Sequence, residues 1–167
     1  PISMWGAPVN DTIMLVINGP GSVIGGTYGV ESWCRRGILI VNGCTIQGIM
    51  GHGIAGGGLI YVNGAIVTGN FGSIQYEQGV VVLNDAEVKK VNYKPLNNEN
   101  GHESGYGVIR DGVLSGHAVL NGIILDVTDL TISEGASIKV TNGGGLIVRN
   151  SFVNKGTFTY EAGLKSI

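Results

Sequence analysis

The chain has 167 residues, a formal net charge of -2, and 43% apolar against 13% charged residues, which is enough for one domain with a continuous core. Its ten Lys and Arg residues are scattered, which excludes a basic footprint for nucleic acid, and no apolar run reaches the roughly 18 residues of a membrane-crossing helix. Thirty glycines with no period of three and only four prolines exclude collagen, and the β-branched content argues against disorder.

In chain order, the first patterned segment is IMLVINGPGSVIGG (13–26), which contains Asn18. Three segments on one template follow: ILIVNGCTIQG (38–48), LIYVNGAIVTG (59–69) and VVVLNDAEVKK (80–90), so that Asn42, Asn63 and Asn84 recur every 21 residues. The template returns in HAVLNGIILDV (117–127) with Asn121 and in IKVTNGGGLIV (138–148) with Asn142. A repeat of this length, with four apolar residues, an Asn, usually a Gly and then an alternating strand, predicts an all-β fold. Its form is a single-stranded parallel β-helix, a β-solenoid of about six coils with a period of ~21 residues. Residues 1–167 read as a single β-helix domain, and because neither end carries an evident cap, the chain is expected to be a segment of a longer protein. A signal peptide is absent or already removed, since no charged and apolar leader precedes the repeats. The 37-residue gap between Asn84 and Asn121 is one period plus an excess assigned to a loop insertion, residues 91–112.

Stacked in register, Asn18, Asn42, Asn63, Asn84, Asn121 and Asn142 are expected to form one side-chain ladder, each amide donating to the next. Asn tolerates left-handed backbone angles and Gly adopts them without steric cost, which suits a tight corner. After each Asn the pattern alternates. Cys44, Ile46, Ala65, Val67, Ala86, Val88, Ile123 and Leu125 share the dry parity. In the third stretch of each coil, Ile54, Ile74, Tyr76, Leu130 and Ile132 are expected inside. Before each Asn there is no alternation: Leu15, Ile17, Leu39, Val41, Ile60, Val62, Val81, Leu83, Ala118 and Leu120 are as apolar as their neighbours of opposite parity. A strand apolar on both faces is buried on both faces, and a solenoid has only one inner face. These ten residues are therefore assigned to a homo-oligomer interface, most simply a trimer around an axis, or to contacts with other proteins of the same assembly. The alternative is that residues 91–112 fold back over the wall. Cys34 and Cys44 fit neither a disulfide framework nor a zinc site.

The in-register asparagines, the VNGAIVTG-type coils and the late LTISEGASIKV and GGGLIVRNSFVNKGTF runs resemble right-handed parallel β-helix proteins of the pectin-lyase-like type. That superfamily includes phage tailspikes and tail fibres, adhesin and autotransporter passengers, and polysaccharide lyases and glycosidases. The resemblance implies right-handed coils, an extracellular, cell-surface or virion location, and glycan binding or cleavage. It does not choose between a structural and adhesive appendage component, a carbohydrate-active enzyme and a purely structural stalk or capsid module.

For catalysis, a glycosidase needs two carboxylates about 5 to 9.5 Å apart, and the outward positions of the second strand offer only Glu87 and, one coil on, Asp126. His52 in its GHG stretch and His117 on a strand read as structural. The insertion is richer. Tyr93, Asn97, Asn98, Glu99, His102, Glu103 and Tyr106 combine aromatic faces with planar hydrogen-bonding groups, which suits sugar rings and hydroxyls, and they sit where a rigid scaffold presents a loop. No cofactor or metal is called for; the Asn and Glu oxygens of this loop match no calcium motif.

Overall fold

The computed structural model describes residues 2–4, 12–94 and 105–161. Among them every regular element is a strand, stacked as parallel coils about 21 residues apart in a β-solenoid of about seven turns. None of the described residues forms a helix long and apolar enough to cross a membrane.

The first stack is assembled from three strand positions per coil. β1 (Ile2–Met4) belongs to an incomplete leading coil, and β2 (Met14–Asn18), β3 (Ser22–Gly25) and β4 (Val30–Ser32) make the next. The following coil comprises β5 (Ile38–Asn42), β6 (Thr45–Gly48) and the first half of β7 (His52–Asn63). The rest of β7 then leads through β8 (Ile66–Gly69) into β9 (Gly72–Asn84), and β10 (Glu87–Val88) and β11 (Val91–Tyr93) complete the stack. Asn18, Asn42, Asn63 and Asn84 are in register. Each Asn Nδ2 donates to the Oδ1 of the preceding Asn at 2.8 Å. At these corners it is the residue after the Asn that turns left-handed, with φ of 61° at Gly43, 55° at Gly64 and 47° at Asp85. That explains the Gly of the template better than the Asn itself does.

The second half departs from a single continuous spiral. β12 (Tyr106–Arg110) still adds in parallel to β9, with Val108 over Val81 and Ile109 over Val82. Asp111 and Gly112, with φ of 47° and 82°, then form a two-residue turn. β13 (Val113–Asn121) runs back antiparallel to β12, the one antiparallel pairing among the described strands. Two successive positive φ values give a type I′ turn, whose twist suits adjacent strands. β14 (Ile124–Ile132), β15 (Ser137–Thr141), β16 (Gly145–Asn154) and β17 (Thr157–Tyr160) then stack in parallel again, beginning from β13. The expected single ladder is therefore two: Asn142 Nδ2 donates to Asn121 Oδ1 at 2.8 Å, separate from the first four. Between them Asp111 takes the corner position, and its Oδ1 accepts the Asp85 N–H at 2.8 Å.

The reversal gives the molecule two cores on opposite faces of one sheet. The first fills the lumen of the first stack with Leu39, Val41, Ile60, Val62, Val81 and Leu83, together with Ile46, Val67, Ile54, Ile74 and Tyr76 from the other two walls. The second contains Ala118, Leu120, Ile123, Leu125, Leu130, Ile132, Ile138 and Val140, and with them Leu59, Val80 and Val82 from the outer face of the first stack. The assignment of Leu15, Ile17, Leu39, Val41, Ile60, Val62, Val81, Leu83, Ala118 and Leu120 to an outward interface is thus corrected. All but Leu15 and Ile17 are at most 1% exposed, and those two pack half-buried against the first core. Side chains alternate strictly along a strand, so the outward set is the opposite parity. Of that set Leu59, Val80 and Val82 are also at most 1% exposed, because the chain's own later half lies over them. Met14 and Val16 remain 58% and 44% exposed, and Ile38 and Ile40 are half-buried. The cover comes from residues after the turn, among them Leu114, Leu120, Leu125 and Leu130, and within the 91–112 stretch the described β12 extends the sheet.

The ladder is expected to contribute to stability. Asn63 both donates to Asn42 and accepts from Asn84, so Asn63→Ala removes two bonds and orphans their partners. At roughly 1 kcal/mol per bond, thermal unfolding is expected to show a loss of about 2 kcal/mol, a Tm drop of about 4–8 °C for a chain of this size.

Candidate functional site

Two features collect polar and aromatic groups. The first is an aromatic row at the end of the first stack. Tyr93 on β11 pairs in register with Tyr76 on β9, and their ring centroids are 5.5 Å apart. Tyr106 on β12 follows at 5.5 Å from Tyr93, and His117, opposite Tyr106 across the antiparallel pair, at 6.4 Å. The inner end is fixed: Tyr76 is 2% exposed, its hydroxyl donates to the Gly107 carbonyl at 3.4 Å, and burial pushes that hydroxyl's pKa well above the usual phenol range. The outer end is open, since Tyr106 is 51% exposed. His117 lies against the Ser137 hydroxyl. The row brings together Tyr93 and Tyr106, two of the residues expected to contact a ligand; Asn97, Asn98, Glu99, His102 and Glu103 lie outside the described residues.

The second feature is a groove of about 320 Å³ where β14 crosses the outer face of the first stack, lined by Tyr61, Asn84, Asp111, Asp126, Asp129 and Arg149 among others. The Asp126 N–H donates to the Tyr61 hydroxyl at 3.2 Å, a contact that the reversal alone makes available. Arg149 Nε and Nη2 donate to the two Asp126 carboxylate oxygens at 2.8 and 2.6 Å. These bonds hold the Asp126 carboxyl below the usual carboxylate range. Asn150 Nδ2 donates to Asp129 Oδ1 at 2.8 Å. Burial raises the Tyr61 hydroxyl.

The chain matches no protein-family model, no curated protein and no solved structure. The likeness to parallel β-helix proteins therefore rests on architecture alone.

The catalytic candidates are not brought together. Glu87 sits exposed on β10 in the four-stranded sheet β10-β8-β6-β3, whereas Asp126 is on β14 of the larger sheet. Among the described residues no group of three or more His, Cys, Asp or Glu side chains is arranged to hold a metal ion. Cys34 and Cys44 are free and buried.

His52 is not the unpartnered turn residue its glycine neighbours suggest. It starts β7, is 8% exposed, and its Nε2 lies 2.9 Å from Asn92 Nδ2, which also donates to the Phe71 carbonyl at 3.2 Å. An amide nitrogen only donates, so Nε2 accepts and the ring proton is on Nδ1. Burial first, then the charge of Lys90, lowers the His52 pKa. A depressed folded-state pKa means that the unfolded chain binds the proton more readily. The stability gained from neutral His52 is therefore complete above about pH 6.5 and is lost as pH falls through the lower folded value. Tm should drop on acidification from pH 7 to 5, and the drop should shrink in His52→Gln, which has no titrating ring.

Proposed function

We propose that this chain is a structural and adhesive β-solenoid of a virion or cell-surface appendage that works outside the cell and contacts a surface glycan through the aromatic row. The observation that supports it is the half-exposed Tyr106 ring on β12, backed by Tyr93 on β11 and Tyr76 on β9. An amphipathic ring held rigid and open on one face suits the C–H face of a sugar, while its hydroxyl and His117 offer polar contacts at the rim. Binding is favoured over cleavage because Asp126, already paired with Arg149 through both oxygens, stays ionised and is poorly placed to donate a proton.

Glycan-array screening followed by calorimetry tests this reading. Tyr106→Ala should weaken binding at least about tenfold, ~1.4 kcal/mol, while Tyr106→Phe keeps most of it. No glycan bound, or binding indifferent to Tyr106→Ala, overturns it. A second reading, glycoside cleavage, is favoured only by the carboxylates of Asp111, Asp126 and Asp129 around one groove. Release of reducing ends from a polysaccharide panel, abolished by Asp111→Asn or Asp129→Asn, would establish it.

A further inference from the structure

We propose that His52 and Asn92 form an acid-released latch on β11: protonation of His52 frees the strand that carries Tyr93 and loosens the aromatic row. This goes beyond the glycan reading and does not depend on it.

The latch is built across three coils. His52 stands opposite Gly72 in the β7–β9 register, and Asn92, one coil further on, reaches back over that glycine. A Cβ at Gly72 would lie 2.7 Å from Asn92 Nδ2 and 3.3 Å from His52 Cδ2, so the missing side chain is what lets the amide pass. Asn92 Nδ2 then meets His52 Nε2 at 2.9 Å and the Phe71 carbonyl at 3.2 Å. Both hydrogens of one NH2 group are thereby used. The Phe71 ring lies beside the pair, its centroid 6.4 Å from that of His52.

This pairing tolerates only a neutral ring. A carbonyl oxygen accepts and never donates, so the Phe71 contact fixes which end of the Asn92 amide faces the site. Once Nε2 carries a proton, two donors face each other. Turning the amide over would give that N–H an acceptor, but it would set Asn92 Oδ1 against the Phe71 carbonyl oxygen. Either way one hydrogen bond is lost. Lys90 is the charged group that acts on the ring, and its field opposes protonation, as burial does. β6 and β8, which pack on β7, bring no titratable side chain. The acids of β4, β9 and β10 are engaged elsewhere along the coils: Glu31 accepts from the Trp33 indole N–H at 3.3 Å, Glu77 lies five residues past Gly72, and Glu87 stands over Ile66.

β11 depends on this anchor more than a central strand would. It is three residues long and, among the described strands, pairs with β9 alone; short segments with few cross-links open locally at low cost. The residue after Asn92 is Tyr93, which packs partly buried against the first core, its ring 5.5 Å from both Tyr76 and Tyr106. Loss of the Asn92 anchor therefore reaches the middle ring of the row. A proton switch needs a histidine whose charge breaks a contact and an element of low stability that the contact holds. His52 and β11 supply the two.

An NMR titration of the intact chain from about pH 7.5 to 4 tests the proposal. His52 should carry its proton on Nδ1 at neutral pH and titrate below about 6.5. With that same midpoint the Asn92 side-chain amide and the Tyr93 ring should shift, and hydrogen-exchange protection at the β11 amides, corrected for intrinsic rates, should fall about fivefold, the factor for one hydrogen bond. His117→Gln, at the other end of the row, should leave this coupling in place, whereas His52→Gln, whose amide oxygen accepts from Asn92 without titrating, should abolish it. Asn92→Asp should reverse the latch. A carboxylate there accepts from the charged ring, so the midpoint rises above about 6.5 and β11 keeps its protection on acidification; this arm decides if His52→Gln fails to fold. A proton on Nε2 at neutral pH, β11 protection indifferent to the His52 titration, or an unmoved midpoint in Asn92→Asp would each overturn the proposal. No ligand enters the measurement, so its outcome is separate from that of the glycan reading.

Discussion

Leu59→Ala is expected to cost about 3 kcal/mol of stability, within the 2–5 kcal/mol range for a buried Leu, whereas Met14→Ala on the same outward parity is expected to change it by less than about 0.5 kcal/mol. Both residues point away from the lumen of the first stack. Leu59 is 0% exposed and belongs to the second core, while Met14, two coils earlier, is 58% exposed. If the wall were bare in the isolated chain, the two substitutions would be equally mild. If the wall were covered only by other chains, the Leu59 penalty would fall with dilution. Because the cover is intramolecular, denaturant unfolding should give the same Leu59→Ala difference at every protein concentration. That independence separates the two origins of burial, since stability from association follows mass action.

Gly79→Ala is expected to be at least as damaging, at about 3–5 kcal/mol, because two mechanisms add. Its φ is 101°, a region that L side chains rarely adopt, and a Cβ there would lie 1.8 Å from the Gly58 carbonyl oxygen. Gly58 repeats the constraint one coil down, with φ 77° and a Cβ position 2.3 Å from the Gly37 carbonyl oxygen. Glycines 21 residues apart thus line the corner ahead of the first strand, where consecutive backbones approach too closely for any side chain. The contrasting position is Gly21, where a Cβ meets nothing within 4 Å and φ lies outside the left-handed range. Gly21→Ala should be neutral or stabilise by up to about 1 kcal/mol through the unfolded chain. Thermal melts of the two variants side by side check both halves of the expectation.

Much of this architecture is legible in the residues. Strands after the Asn alternate, so Cys44, Ile46, Ala65, Val67, Ala86, Val88, Ile123 and Leu125 are expected inside; all but Ala86 are at most 6% exposed, and Ala86 packs half-buried against the first core. The third-strand positions Ile54, Ile74, Tyr76, Leu130 and Ile132 also lie inside, at most 2% exposed. The strand before the Asn could not be oriented in this way. Where both parities are apolar, a one-residue choice of face has no local marker, so the residues alone do not say which set faces the lumen. The coil template also carries no information about direction. HAVLNG in β13 satisfies it as well as LIYVNG in β7 does, although β13 runs opposite to its neighbour β12. The signal that distinguishes them was present in Asp111-Gly112 between Ile109-Arg110 and Val113-Leu114, a strong short-range mark of a two-residue hairpin. The groove depends on this reversal and carries no local mark, because Tyr61 and Asp126 are 65 residues apart. The aromatic row was half visible: Tyr93 and Tyr106 stand out as insertion residues, but their alignment with Tyr76 and His117 depends on strand register. The His52–Asn92 contact spans 40 residues and has no local mark either.

The most direct measurement is an isotope-filtered NOE experiment on a mixture of methyl-labelled and unlabelled protein. The Leu59, Val80 and Val82 methyls should show strong contacts to methyls of residues 109–132 in samples where every chain is labelled, and none in the filtered spectrum that reports only contacts between chains. Intermolecular contacts at those three residues, or methyls that see only water, would contradict a wall sheltered by its own chain.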